Sequence, residues 1–229
     1  MNYDKIKEYY ENVYWKENYG SGAGLPDLRR NLSFLSELPE KVDVQKKSLD
    51  IGCGDGLASL LLSQRGYQVF GVDISQNALA LAKRLVPQGN FFLAEKSGKL
   101  IFQDEEFDLI TCLGVLEHIE DPQILLQECY RTLKKDGTAI FVVPNSWHPY
   151  FWFGGTGQIL EQPRSLAGWK KLFESNQFDI KGIAKDPGPG FQKGLAVIKN
   201  IKVFLHKCFS FFPLCLTYQF KFSLKKHSS

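Results

Sequence analysis

The chain has 229 residues, 44% hydrophobic and 23% charged, with 28 basic against 25 acidic side chains for a formal charge of +3. This is one ordinary globular domain, or a domain with an extension, long enough to bury roughly 70% of its unfolded surface without disulfide or metal. The charge is too small to argue for nucleic acid, and the five scattered cysteines make no CxxC pair, metal spacing or disulfide framework. No uncharged apolar run reaches the ~18 residues of a membrane span, and the polar, acidic start Met1–Lys5 does not read as a signal peptide. A cytoplasmic protein is the expectation.

Residues 1–45 read as a helical N-terminal cap. Tyr9–Trp15 is dense in aromatic side chains, Gly20–Gly24 interrupts it, and Asp27–Leu38 reads as a helix stopped by Pro39. Residues 46–229 read as the main domain, in which strands and helices alternate. Ser48–Ile51 is the first strand, and Asp55–Arg65 the first helix, with Leu57, Leu60 and Leu61 facing inward. Gln68–Asp73 is the second strand, followed by a helix capped by Ser75 and running to Leu85, then a third strand at Asn90–Ala94. Phe107–Cys112 is an apolar run of the kind covered on both faces. Asp121-Pro122 opens the next helix, which reaches Lys134-Lys135, and Thr138–Val143 is the fifth strand. Asn145–Gly155 is an aromatic loop, Ser165–Glu174 a helix, and Phe178–Ala184 the sixth strand. Residues 193–211 read as an inserted amphipathic helix, and Leu216–Leu224 alternates as a seventh strand, expected antiparallel at the sheet edge.

The chemistry concentrates in two stretches. Leu49-Asp50-Ile51-Gly52-Cys53-Gly54-Asp55-Gly56 takes a strand into a glycine turn, and Val69–Ser75 brings a second strand to an acid, Asp73. Glycine lets backbone turn tightly and approach a ligand closely, and an acid at the second strand's tip is placed to grip a ribose diol. Leu57 stands where a dinucleotide fingerprint needs its third glycine, and Leu57-Ala58-Ser59 replaces the lysine segment of a phosphate loop.

This D-x-G-x-G-x-G pattern resembles the first motif of class I S-adenosylmethionine-dependent methyltransferases. Phe107–Cys112, Val115-Leu116-Glu117-His118-Ile119-Glu120-Asp121-Pro122 and Arg131-Thr132-Leu133-Lys134-Lys135-Asp136-Gly137 resemble later motifs of its small-molecule branch. Val142-Val143-Pro144-Asn145 is similar to the fifth-strand ending of ubiquinone-pathway and sugar methyltransferases. The resemblance implies an α/β fold: a Rossmann-like seven-stranded, mostly parallel sheet, helices on both faces, and an antiparallel edge strand. It implies S-adenosyl-L-methionine as cofactor, with Gly52, Gly54 and Gly56 at its amino-acid end, Asp50 anchoring its ammonium and Asp73 its ribose. Ile74, Leu113 and Glu95 complete the implied cofactor-binding set. Glu95 stands where the family carries an Asp for adenine; a solvated surface glutamate is the other reading.

Methyl transfer from a sulfonium needs alignment above all, and a base only if the acceptor must lose a proton. His118, just past the fourth strand, is the candidate base, with an orienting structural role as the alternative. His148 is a second candidate. Trp147–Phe153 reads either as closure of an acceptor pocket or as packing, and Tyr9, Tyr10, Tyr14 and Trp15 as a lid or as core. Lys193, Lys199, Lys202 and Lys207 beside Phe204, Phe209, Phe211 and Phe212 fit either peripheral membrane contact or a helix covering the sheet. The expected partner is a small-molecule acceptor, a sugar, glycolipid precursor or quinone-like molecule methylated on oxygen. No metal and no nucleic acid is expected, and the protein would be a monomer or homodimer. A catalytically silent cofactor-binding module is one alternative class; a nicotinamide oxidoreductase is another, disfavoured by the Gly56-Leu57 spacing.

Overall fold

A computed structural model of the chain describes residues 3–14, 24–43, 45–148, 161–186, 214 and 217–227. Among the described residues, α1 (Tyr3–Tyr9, continuing into a π-helical turn at Tyr10–Tyr14) and α2 (Gly24–Phe34) precede the sheet. Then follow β1 (Lys47–Ile51), α3 (Leu57–Gln64), β2 (Gln68–Asp73), α4 (Gln76–Leu85), β3 (Asn90–Leu93) and β4 (Phe107–Leu113). A 3-10 turn (Leu116–His118), α5 (Pro122–Thr132), β5 (Leu133–Pro144), α6 (Leu166–Ser175), β6 (Phe178–Lys185) and β7 (Gln219–Lys226) complete it. Among the described residues no helix is long and apolar enough to cross a membrane. The expected helix at 193–211, Trp15 and most of the 147–153 aromatic loop lie outside the described residues.

Seven strands form one sheet in the order β3-β2-β1-β4-β5-β7-β6. Pairing is parallel from β3 through β5, and β7 runs antiparallel to both β5 and β6. The Rossmann-like, mostly parallel, seven-stranded sheet is therefore as expected. One detail differs: the antiparallel strand is not at the edge, because β7 inserts between β5 and β6 and leaves β6 outermost.

The reason lies in what covers β7. Its apolar residues Phe220, Phe222 and Leu224 pack into the main core with Trp169 and Phe173 of α6. Its alternate residues Gln219, Lys221 and Ser223 look like a solvent face in the sequence, yet all are buried. The segment at and after α2 satisfies them. Glu37 pairs with the Lys221 ammonium and accepts from Ser223 Oγ at 2.6 Å, while Arg30 bridges Asp186 and the Gln219 side-chain oxygen. Alternation of polar and apolar residues normally marks one solvated face; here the polar face is neutralised by charges from the N-terminal third.

Helices take the two faces. Leu125, Leu126 and Cys129 of α5, with α6, pack on Leu49, Ile110 and Phe141. Leu61 and Leu62 of α3, with Leu35, pack on the opposite side against Val69, Leu109 and Ile140. The buried stripe of α3 is thus Ala58, Ser59, Leu61 and Leu62, while Leu57 and Leu60 are half-buried. The helix starts at Leu57 rather than Asp55, because Gly56 at its N-cap is left-handed with φ 86°. Strand β5 starts at Leu133, earlier than the sequence indicates, since Leu133 pairs with Phe107 before a register shift leads to the Leu109–Thr138 pairing.

The strand order reverses between β1 and β4, and a crevice opens there past the carboxyl ends of the strands. We expect Glu37→Ala to lower stability by about 1–3 kcal/mol, by leaving a buried ammonium and hydroxyl without their acceptor. Adding Lys221→Met should recover part of that loss, measurable by urea unfolding of the single and double variants.

Candidate active site

At the end of β1 the backbone passes through three left-handed positions, Gly52 (φ 67°), Gly54 (φ 55°) and Gly56 (φ 86°). Sterics alone would exclude side chains at two of them. A Cβ on Gly52 would lie 2.2 Å from Val115 Cγ2, and one on Gly56 would lie 2.9 Å from the Ala82 backbone. The turn is tied to β2 by the Gly52 and Cys53 amides, which donate to the Val72 carbonyl at 2.8 and 3.1 Å.

Asp73 closes β2 beside this turn. One carboxylate oxygen accepts from the Gly54 amide and the other from the Ser75 amide, each at 2.9 Å. Ser75 in turn caps α4 by accepting from the Ala78 amide. The Asp73 carboxyl is held above its ordinary range by burial, against the lowering effect of these amides. A carboxylate offers about four acceptor positions, so Asp73 retains acceptor capacity for a hydroxyl donor beyond its backbone amides.

Asp50, one residue before the end of β1, is fully enclosed at the floor. Its oxygens accept from Thr111 Oγ1 at 2.7 Å and Ser59 Oγ at 2.9 Å. Burial raises its carboxyl to about 6, opposed by the two hydroxyl donors and assisted by the nearby charge of Asp73. Cys53, between the glycines, has its thiol pushed well up by burial and by the same acids, so it is no nucleophile at neutral pH.

A cavity of about 600 Å³ opens over these groups. Asp50, Gly52, Gly54, Asp73, Ile74, Glu95, Leu113 and His118 all line it. Gly56 does not; its role is the close approach of α3 to α4 at Ala82. Glu95 stands on the exposed rim, with its carboxylate accepting from Ser97 Oγ at 3.1 Å. His118 is buried in the turn after β4, its ring edge-on to Tyr10 with centroids 6.0 Å apart. His148 is buried elsewhere, beyond the cavity lining and against the Tyr218 ring at 5.4 Å.

Several groups escaped the sequence reading. Thr111 and Ser59, which hold Asp50, were visible only as polar residues inside an apolar strand and an apolar helix face. Tyr3 and Ile6 reach the cavity from α1, beside Tyr10 of its π-helical extension, which the sequence did single out as lid or core. Glu117 is 2% exposed, its Oε1 4.0 Å from His118 Nε2, and its other oxygen has no hydrogen-bond partner among the described residues. Burial raises its carboxyl to about 8; Glu161 adds to the shift and Arg30 opposes it.

Comparison with known proteins agrees with this geometry. Residues 49–141 match a family model described as a methyltransferase domain. The ubiquinone biosynthesis O-methyltransferase of Pseudomonas fluorescens (strain Pf0-1) is 29% identical over 170 residues, which are 66% of this chain and 73% of that protein. Among solved structures, a SAM-dependent methyltransferase from Thermotoga maritima superposes with a TM-score of 0.66 at 15% identity, covering 98% of this chain and 100% of the other. The [4+2]-cyclase SpnF superposes at 0.64 with 18% identity, over 93% and 86% of the two chains. At such identities these two structures speak for the fold alone, and the cyclase shows that the fold carries other chemistry as well.

Glu117 generates a pH effect on stability. Its carboxyl stays protonated in the fold up to about 8 but ionises near its ordinary 4.5 once exposed. The folded state therefore holds the extra proton across that window, and stability falls as pH rises through it. Melting temperatures between pH 5 and 8 should decline for the wild type, and Glu117→Gln should remove roughly 7–14 °C of that decline.

Proposed function

We propose that this chain, which belongs to the class I S-adenosylmethionine-dependent methyltransferases, methylates an oxygen of a small-molecule acceptor in the cavity past β1, β2 and β4. The observation that carries the reading is the convergence on one cavity of Asp50, the glycine turn, Asp73 and His118. Those residues fit the cofactor: a diol acceptor, a buried carboxylate for an ammonium and close backbone approach stand side by side. The sheet's strand order sets them in the crevice where α/β folds bind ligands.

Bound S-adenosylmethionine supplies a methyl group on a sulfonium, so the leaving group is already built in. The chain's own part is placement. Asp73 takes the ribose hydroxyls with the acceptor capacity left by the Gly54 and Ser75 amides. Asp50, braced by Thr111 and Ser59, faces the ammonium end, and Ile74 and Leu113 close the apolar walls. Glu95 borders the adenine end, where its Ser97 contact must yield or be shared. Holding donor and acceptor in line is worth up to about 7–11 kcal/mol in favourable cases. His118 stands at the cavity wall as the group that takes the acceptor's hydroxyl proton.

Oxygen as acceptor atom is supported by the O-methyltransferase relatives at 29% identity and by the buried histidine at the wall. A sugar, glycolipid precursor or quinone-like molecule is the acceptor class. A screen of such acceptors by mass spectrometry, with wild type and His118→Ala, tests this: a product of +14 mass units that the variant forms far more slowly supports it. Cofactor binding without product from any hydroxylated acceptor would instead leave a silent binding module.

Two outcomes are expected for the cofactor. Asp73→Ala should weaken binding of S-adenosylhomocysteine by about 1.5–3 kcal/mol in calorimetry, the scale of hydrogen bonds to a charged group. Wild-type affinity should hold above pH 7 and fall as pH drops through about 6, where Asp50 takes up a proton and loses its attraction for the ammonium. Asp50→Asn should be weaker at pH 7 and flat across that range.

A further inference from the structure

Residues 3–14 cross the mouth of the cavity and are fixed at three places around its rim. At the β3 end, Tyr3 Oη donates to the Ala94 carbonyl at 2.9 Å, and Lys96 pairs with Asp4 at 3.1 Å while lying over the Tyr3 ring. At the β2 side, the Glu11 carboxylate accepts from the Asn77 amide at 3.3 Å and the Glu11 carbonyl from Asn77 Nδ2 at 3.1 Å. At the β4 end, the Tyr10 ring meets His118 edge-on, backed by Tyr9 at 5.3 Å. The fixings therefore stand past the carboxyl ends of β3, β2 and β4, around the whole opening.

Their chemistry differs. The Glu11–Asn77 and Asp4–Lys96 contacts are exposed, and α1 has no buried residue. Exposed polar fixings of this kind hold weakly, and a segment without buried apolar contacts opens at little cost. Tyr3 and Tyr10 are both half-buried and line the cavity, but among the described residues of the segment Tyr10 is the one whose ring meets the buried His118 ring on the far side. It also opens a π-helical turn at Tyr10–Tyr14, an irregularity common at functional sites.

We propose that residues 3–14 are a strap over the cofactor's path and that Tyr10, through its ring contact with His118, is the latch that holds the strap down and positions that histidine. The proposal rests on the placement of the cofactor given above. A strap across the mouth must lift for entry and for exit alike, so loosening its latch speeds both. A residue that merely touched the ligand would affect release alone. An edge-to-face contact needs the ring and not the hydroxyl, so phenylalanine can substitute.

The test uses the full chain with S-adenosylhomocysteine as probe. Association is followed by stopped flow, and release by chasing preloaded radiolabelled ligand with unlabelled ligand. Tyr10→Ala should raise both rates by about three- to ten-fold, the equivalent of one lost aromatic pair, with little change in Kd. Tyr10→Phe should keep wild-type rates, and Asn77→Ala, which removes a weaker fixing, should move both rates the same way by less. Unchanged rates in Tyr10→Ala, or faster release with unchanged association, would overturn the latch while leaving the cofactor placement intact. Failure of the wild type to bind the probe would overturn the placement, and the latch with it.

Discussion

The left-handed glycine turn after β1 is the constraint on which the site depends. It lets the Gly54 amide point at the Asp73 carboxylate and lets Val115 close over Gly52. It also lets α3 start against Ala82 of α4. Any L-residue at Gly52 or Gly56 would meet both an unfavourable φ and an atom already in the way. Position by position, the turn sets the distance between β1, β2 and the segment after β4. Those three elements carry the site's acids and its histidine.

The same crevice concentrates buried carboxyls. Asp50, Asp73 and Glu117 are each removed from water, and each is held above its ordinary range chiefly by that removal. They differ in what surrounds them. Asp73 has backbone amides, Asp50 has two hydroxyls, and Glu117 has His118 at 4.0 Å. Keeping carboxyls buried without a lysine or arginine partner costs stability as pH rises, because each must either ionise out of water or hold its proton.

Much of the arrangement was legible because it is local. Asp50 to Gly56 and Val69 to Ser75 are each a strand, a turn and a cap within a few residues, and their spacing carried the strands, the reversal of chain direction and the acid's place at a strand tip. The position of β7 was not legible. Its alternation of Lys221 and Ser223 with Phe220 and Phe222 is what a half-solvated strand looks like, and the groups that bury its polar side, Arg30 and Glu37, are 189 and 186 residues away from their partners Gln219 and Ser223. Gly56 illustrates a finer limit. Three glycines in one motif look equivalent in sequence, yet two line the cavity and the third serves helix packing. Similarly, Tyr10 is one of several tyrosines near the N-terminus, and only its contact with His118 sets it apart.

The insertion of β7 between β5 and β6 has a consequence for how the protein is made. During synthesis β6 emerges while β7, its neighbour in the sheet among the described residues, is still unmade, and β5 presents an open, strongly apolar edge at Ile140, Phe141, Val142 and Val143. Until residues 219–226 leave the ribosome, the nascent chain carries two unpaired strand edges at once. The N-terminal charges of Arg30 and Glu37 must meanwhile wait for the last strand to neutralise them. The sheet is therefore completed from its inside, late and over a long sequence separation, a topology that folds slowly and gives chaperones a defined interval in which to act.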